Sequence, residues 1–219
     1  MKVVAVVPIK LNNERLKNKN IKKFDNGEPL CTYLLNTLKK VKKIDEIYVY
    51  CSNETIKDYI PDGIKFLKRS ENLDSSTTKM NEILQSFANK VDSDLYVLAH
   101  VTAPFITESS ISDGIEHVLS GEYDSSFSVQ LLQEFLWKNG EPLNYNLSAI
   151  PRTQDLPFIY SETSGFYVYS KQTILELNRR IGNNPYLKVV SKVEAIDIDE
   201  ADDFEIANAI YNFRRRKNG

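Results

Sequence analysis

The stretch Lys2-Val3-Val4-Ala5-Val6-Val7-Pro8-Ile9 decides the fold class. It is a short, nearly continuous apolar run rich in β-branched residues, the pattern of a strand covered on both faces. It falls far short of the roughly 18 apolar residues a membrane span needs. It also lacks a basic leader and a small-residue cleavage site, so it reads as a core strand and not as a signal peptide.

Outward from this run, helix and strand alternate. Pro29 opens a helix in which Leu30, Leu34, Leu38 and Val41 recur at helical spacing. Ile47–Cys51 reads as the second strand, after which Ser52 or Asn53 caps a short helix that stops before Pro61. Ile64–Leu67 is a third strand. Thr77 or Thr78 caps a helix to about Val91, and Leu95–Ala99 follows as a fourth strand. Thr107 caps a helix to Leu119, and Ser126–Gln130 is a fifth strand. Repeated units with short connections predict an α/β fold with a parallel, doubly wound sheet.

The regularity breaks at Trp137–Pro142, where Asn139-Gly140 signals a tight hairpin. Residues 131–163 therefore read as an inserted arm. Gly165–Tyr169 resumes as a strand and Gln172–Arg180 as a helix. Ala195–Ile198 leads into a last helix with Asp199 as its cap. The 219 residues predict one domain, 1–219, carrying that arm.

Composition excludes several classes. With 42% hydrophobic and 26% charged residues the chain can build a core and is not disordered. Cys31 and Cys51 form no CxxC, which argues against a disulfide scaffold or a zinc module and predicts a cytoplasmic protein. A net charge of −2, without interleaved basic and aromatic residues, predicts no nucleic-acid partner. No membrane association is expected either.

The charge is segregated, however. Residues 1–43 carry eleven Lys or Arg against three acids, whereas Ala195–Glu205 carries six acids and no base. In open α/β sheets ligands lie outside the carboxyl ends of the strands. The long loop after the first strand, Pro8 to Asn20, places Lys10, Arg15 and Lys19 at spacings that can curl round one anion. A polyphosphate suits it. The loop matches neither a Walker A sequence nor GxGxxG, and a merely solvated lysine loop is the alternative.

Ala195-Ile196-Asp197-Ile198-Asp199-Glu200 is the acidic counterpart. As a strand it would turn Asp197 and Asp199 to one side, where two carboxylates can hold a hard cation such as Mg²⁺. The alternative is a helix start, with Asp199 as N-cap and Asp202 and Asp203 in the first turn, which leaves Asp197 without a role. His100, at the end of the fourth strand, is a base or a hydrogen-bond donor. Trp137 stacks on a ligand or anchors the arm.

Taken together, several segments resemble the acylneuraminate cytidylyltransferases, the CMP-sialic acid synthetases, and their cousins the CMP-Kdo synthetases. They are Val6-Val7-Pro8-Ile9-Lys10, Arg15 to Ile21, Gly27-Glu28-Pro29-Leu30, Leu67-Lys68-Arg69 and Val97 to Phe105. Arg152-Thr153-Gln154-Asp155-Leu156-Pro157, Tyr160 to Gly165 and Ala195 to Asp199 complete the set. The resemblance implies a mostly parallel, Rossmann-like sheet of the nucleotide-diphospho-sugar transferase type. It also implies transfer of CMP from CTP to a 2-keto sugar acid with Mg²⁺, in a homodimer, for surface glycan synthesis such as lipopolysaccharide or capsule.

Under that resemblance Lys10, Arg15, Lys19 and Asp199 are catalytic, and Asp197 and Asp199 hold the metal. Pro8, Asn13, Asn20, Arg69, Thr77 and Thr78 bind the nucleotide, with Arg69 and the threonines reading cytosine. His100, Thr102, Lys138, Arg152, Gln154 and Thr163 face the sugar acid. The chain departs from the usual sialate pattern in having Lys10 for arginine, Leu11-Asn12 for glycines and His100 for glutamine. Another acceptor acid, or a nucleotide-binding module with weakened catalysis, is therefore the second hypothesis.

Overall fold

The computed structural model describes residues 1–13 and 15–218, with 217 and 218 described by their backbone alone. The strands are β1 (Val3–Pro8), β2 (Glu46–Cys51), β3 (Lys65–Lys68), β4 (Leu95–Ala99), β5 (Ser125–Leu132), β6 (Trp137–Lys138), β7 (Glu141–Pro142), β8 (Ile159–Ser170) and β9 (Pro185–Val189). The helices are α1 (Leu30–Leu38), α2 (Met80–Ala88), α3 (Glu108–Leu119), α4 (Lys171–Leu175) and α5 (Ala201–Asn218). Seven strands form one sheet in the order β3-β2-β1-β4-β8-β5-β9. β8 runs antiparallel to both its neighbours, and the other pairings in that sheet are parallel. The doubly wound, mostly parallel expectation holds, with one reversed strand in the middle.

Alternation along β1 explains the layering. Val3, Ala5 and Val7 pack with Leu34, Leu35 and Leu38 of α1 and Ile111, Ile115 and Val118 of α3. Val4 and Val6 face the other way, towards Leu84 and Phe87 of α2 and Ile174 of α4. Each such buried side chain contributes about 1.5–3 kcal/mol. Helix α3 comes close to the sheet at Gly114, where a Cβ would overlap the Phe166 ring.

A third, smaller core sits beside the sheet: Phe24, Leu30, Phe105, Ile198, Phe204 and Ala207. Phe24 meets Phe204 edge-on at 4.9 Å. This contact ties the loop after β1 to the start of α5. β1 lies between β2 and β4, the point where the strand order reverses, so the loop after β1 opens where α/β ligands bind.

Several boundaries differ from the sequence expectation. Helix α2 starts at Met80 and not after Thr77 or Thr78, because the Glu82 carboxylate accepts the Lys79 N–H at 3.0 Å and fixes the start there. Thr77 is instead engaged with Ser75. Helix α4 ends at Leu175, and Asn178 beyond it takes a left-handed conformation, φ 51°, which stops continuation to Arg180. β8 begins at Ile159, inside the expected arm. The edge strand β9 was not anticipated. Residues 195–198 are not a strand.

Candidate nucleotide site

The loop after β1 is folded by its own polar groups. Asn18 adopts φ 55°, turning the chain into a single 3₁₀ turn over Lys19–Ile21. The Asn20 side-chain amide donates to the Lys10 carbonyl at 2.7 Å, closing the loop on itself. Lys19 is thereby buried, 7% exposed, and its ammonium donates to the Ile198 carbonyl at 2.7 Å and to Asp199 Oδ1 at 3.1 Å. Arg15 reaches the same Oδ1 at 2.7 Å. Residues from the two ends of the chain thus converge.

The acidic segment is held from below. Ile198 is fully buried, and its N–H donates to the Thr102 carbonyl at 2.8 Å. Asp199 does not cap α5 with its side chain. Asp203 reaches back instead and accepts the N–H groups of Asp199 and Glu200, each at 2.9 Å. Those two N–H bonds, that of Glu200 first, hold the Asp203 carboxyl below the usual carboxylate range. The helix-start reading of Asp199 fails, and its carboxylate faces the cations.

A cavity of about 250 Å³ opens here, lined by Lys10, Asn12, Asn13, Arg15, Leu16, Lys19, Ser76 and Asp199. A second, of about 640 Å³, shares Asn12 and extends over Leu11, Ser52, Asn53, Lys68 and Asp74 at the carboxyl ends of β2 and β3. Pro8, the last residue of β1, pairs with Tyr50 at the edge of this region. Arg69 is 2% exposed. It bonds Asp74 and the Ile9 carbonyl through Nη2 and the Tyr50 carbonyl through Nη1. Thr77 and Thr78 lie in the loop beside Ser76, outside the helix.

Asp197 is placed differently from Asp199. Its Oδ2 accepts the Ser164 hydroxyl at 2.7 Å, while Oδ1 is buried with no hydrogen-bond partner. The orphaned oxygen of Asp197 and the Asp199 carboxylate two residues along the chain are oxygen donors only, the donor chemistry a hard divalent cation takes. Among the described residues no group of three or more His, Cys, Asp or Glu is arranged so that it could hold a metal ion. The Oδ1 atoms of Asn13 and Asn20 are likewise buried without partners.

His100 meets the same serine as Asp197. Its Nδ1 lies 2.9 Å from the Ser164 carbonyl, and a carbonyl can only accept, so Nδ1 carries the proton and Nε2 the lone pair. Burial above all holds the imidazole pKa below its usual value, so the ring is neutral at pH 7. Thr163 is buried, and its hydroxyl bonds to Ser128 across the β5–β8 irregularity.

Lys138, Arg152 and Gln154 are exposed on the arm. Arg152 pairs with Asp155 at 2.7 Å, and the Gln154 carbonyl accepts from Gln133. Among the described residues no hydrogen bond or ion pair links these three to the Asp199 cluster. Sequence reasoning missed Ser164, the partner of Asp197, and Asp74, the partner of Arg69, which Ser52 also bonds. The Ser164–Asp197 and Ser52–Asp74 contacts join residues 33 and 22 positions apart, which no local spacing signals.

A family profile described as cytidylyltransferase matches residues 4–217. The chain belongs to the cytidylyltransferase family. Over 216 residues, 94% of this chain and 49% of the relative, it is 24% identical to the N-acylneuraminate cytidylyltransferase of Oncorhynchus mykiss. It is 25% identical over 195 residues to the 8-amino-3,8-dideoxy-manno-octulosonate cytidylyltransferase of Shewanella frigidimarina, covering 80% of this chain and 77% of the relative. The chain spans about half the length of the first of these. The same fold is found in a CMP:2-keto-3-deoxy-manno-octonic acid synthetase complexed with CTP, at TM-score 0.76 and 12% identity. That match covers 98% of this chain and all of the other. Among the described residues no helix is long and apolar enough to cross a membrane.

Proposed function

We propose that this chain transfers the cytidylyl group of CTP to a sugar acid of the nonulosonate or 2-keto-3-deoxy type, releasing diphosphate and supplying a CMP-sugar for surface glycan synthesis. The observation that carries this reading is the closure of Lys19 on Asp199, which makes a cationic cavity at the strand-order reversal.

The reaction is an in-line displacement. The acceptor hydroxyl oxygen forms a bond to the α-phosphorus, the bond from phosphorus to the bridging oxygen breaks, and diphosphate leaves with that electron pair while the hydroxyl gives up its proton. Positioning and charge neutralisation are the protein's share. Lys10, Arg15 and Lys19 offset the negative charge that builds on the leaving diphosphate, and losing one such donor costs on the order of 10²–10³ in rate. His100, neutral with Nε2 unprotonated, has the form a proton acceptor requires. Asp197 and Asp199 are assigned to Mg²⁺, which when bound neutralises phosphate charge and lowers the pKa of a bound hydroxyl.

The larger cavity is assigned to the nucleoside. Cytosine offers an amino donor and a carbonyl acceptor. Asp74 supplies the acceptor, and the Arg69 guanidinium beneath it fixes that carboxylate. The arm exposes Trp137, Leu147, Ile150 and Phe158, an apolar surface suited to a second copy of the chain. In such a homodimer Lys138, Arg152 and Gln154 would meet the partner's acceptor.

The test is incubation with CTP, Mg²⁺ and a panel of keto-sugar acids, read by product mass. A CMP adduct with equimolar diphosphate is the expected result. CTP binding with no adduct from any acid would overturn the enzyme reading in favour of a binding module.

A further inference from the structure

Arg180 takes part in none of the roles above, yet its side chain is fixed on Tyr167, the ring that packs edge-on to His100. Its guanidinium lies over the Tyr167 ring, 4.3 Å from the centroid, and Nη2 donates to Glu162 Oε1 at 3.0 Å. Tyr167 donates its hydroxyl to that same carboxylate oxygen, so ring, acid and guanidinium lock one another. The backbone on either side is pinned as well. The Asn178 carbonyl accepts from Asn81 at 2.7 Å, and the Gly182 N–H donates to Ser125 at 2.8 Å.

What the guanidinium leaves unused is informative. Arg180 Nε is buried without a hydrogen-bond partner, an unsatisfied donor that is costly to keep unless something fills it. The side chain keeps 28% exposure, so it is not sealed in the core. Tyr167, under Arg180, stands edge-on to His100 at 6.2 Å, and His100 connects through Ser164 to Asp197. A chain of contacts therefore runs from Arg180 through Tyr167, His100 and Ser164 to Asp197 in the acidic segment.

We propose that Arg180 binds the carboxylate of the acceptor sugar acid, with Glu162 and Tyr167 as the positioning residues that hold its fork. A guanidinium matches a carboxylate bidentately, and one held rigid beforehand loses little freedom on binding. Arm residues Arg152 and Lys138 are poorer candidates within one chain, since both are exposed, Arg152 at 72%, and neither is held rigid beforehand as Arg180 is. The proposal rests on the cytidylyltransferase reading.

The experiment compares two substrates in two proteins. Whichever of N-acetylneuraminate, pseudaminate and 3-deoxy-manno-octulosonate gives product with the wild type is tested beside its own methyl ester, which keeps the sugar and removes the charge. Wild-type protein is expected to prefer the acid in kcat/KM by on the order of 10–100-fold. Arg180→Gln should bring that ratio close to unity with the KM for CTP unchanged, a collapse that general loosening of the fold would not produce. Should Arg180→Gln fail to fold, Arg180→Lys reads the same ratio, which is expected to fall because the fork is lost. A folded, active variant that still discriminates acid from ester overturns the assignment of Arg180 and leaves the activity untouched. No product from wild type with any acid overturns the underlying reading, and this inference falls with it.

Discussion

Lys19 and Asp199, separated by 180 positions in the chain, stand 3.1 Å apart, with the Lys19 ammonium also on the carbonyl of Ile198. The pair fastens a basic loop to an acidic segment, and every functional assignment depends on that junction.

Asp199→Ala should lower turnover by on the order of 10²–10³-fold. Its partner Arg15 is 60% exposed and adds little, but the Lys19 side chain is 9% exposed and loses its carboxylate. The variant should therefore be destabilised by about 1–3 kcal/mol while still folding. Steady-state kinetics with a denaturant melt check both at once. Near-wild-type turnover in a folded variant removes the assignment.

Chelation supplies a separate check on the paired carboxylates. EDTA should abolish diphosphate release and Mg²⁺ should restore it, with Asp197→Asn needing more Mg²⁺ for half-maximal rate. Full activity after exhaustive chelation would contradict the role given to the buried, unpartnered Oδ1 of Asp197.

Phe24 links the two ends through Phe204 and Tyr33. Phe24→Ala should cost about 3–5 kcal/mol, and in the folded fraction it should weaken CTP binding, because the loop is no longer packed against the acidic segment. Urea denaturation gives the first quantity and calorimetry the second. A large loss of stability with unchanged CTP affinity would show that the aromatic contact does not set the site.

His100 predicts a pH dependence. Its folded pKa lies below the usual 6.5, chiefly through burial, so the unfolded chain binds more protons in that window. The stability it contributes is present above pH 6.5 and is lost as pH falls through the folded value. His100→Gln should therefore show a shallower loss of stability between pH 6.5 and 5 than wild type. Parallel slopes would mean that the ring titrates alike in both states.

Much of this fold is legible in local pattern. The apolar runs of β1 and β4, the Thr107 cap and the Asn139-Gly140 hairpin all act within a few residues, and the structure keeps each of them. Two misplaced helix ends have local causes, at Lys79–Glu82 and at Asn178, and the other failures occur where a distant partner decides. Asp203, not Asp199, satisfies the start of α5, because Lys19 and Arg15 claim the Asp199 carboxylate from the other end of the chain. β9 is hidden because Pro185 and Lys188 interrupt its period, yet pairing with β5 holds it. Lys10, Arg15, Lys19 and Asp199 could be picked out from charge segregation, whereas Ser164 and Arg180 acquire meaning only from the side chains they touch.

The most direct test of the central claim is the calorimetric affinity for CTP of Lys10→Ala beside wild type. Lys10 lines the smaller cavity and forms no ion pair among the described residues, so its removal should leave the fold unchanged. Affinity at least about tenfold weaker, the equivalent of one lost charge-assisted contact, is the predicted result. Unchanged affinity would contradict a triphosphate seated between the basic loop and Asp199.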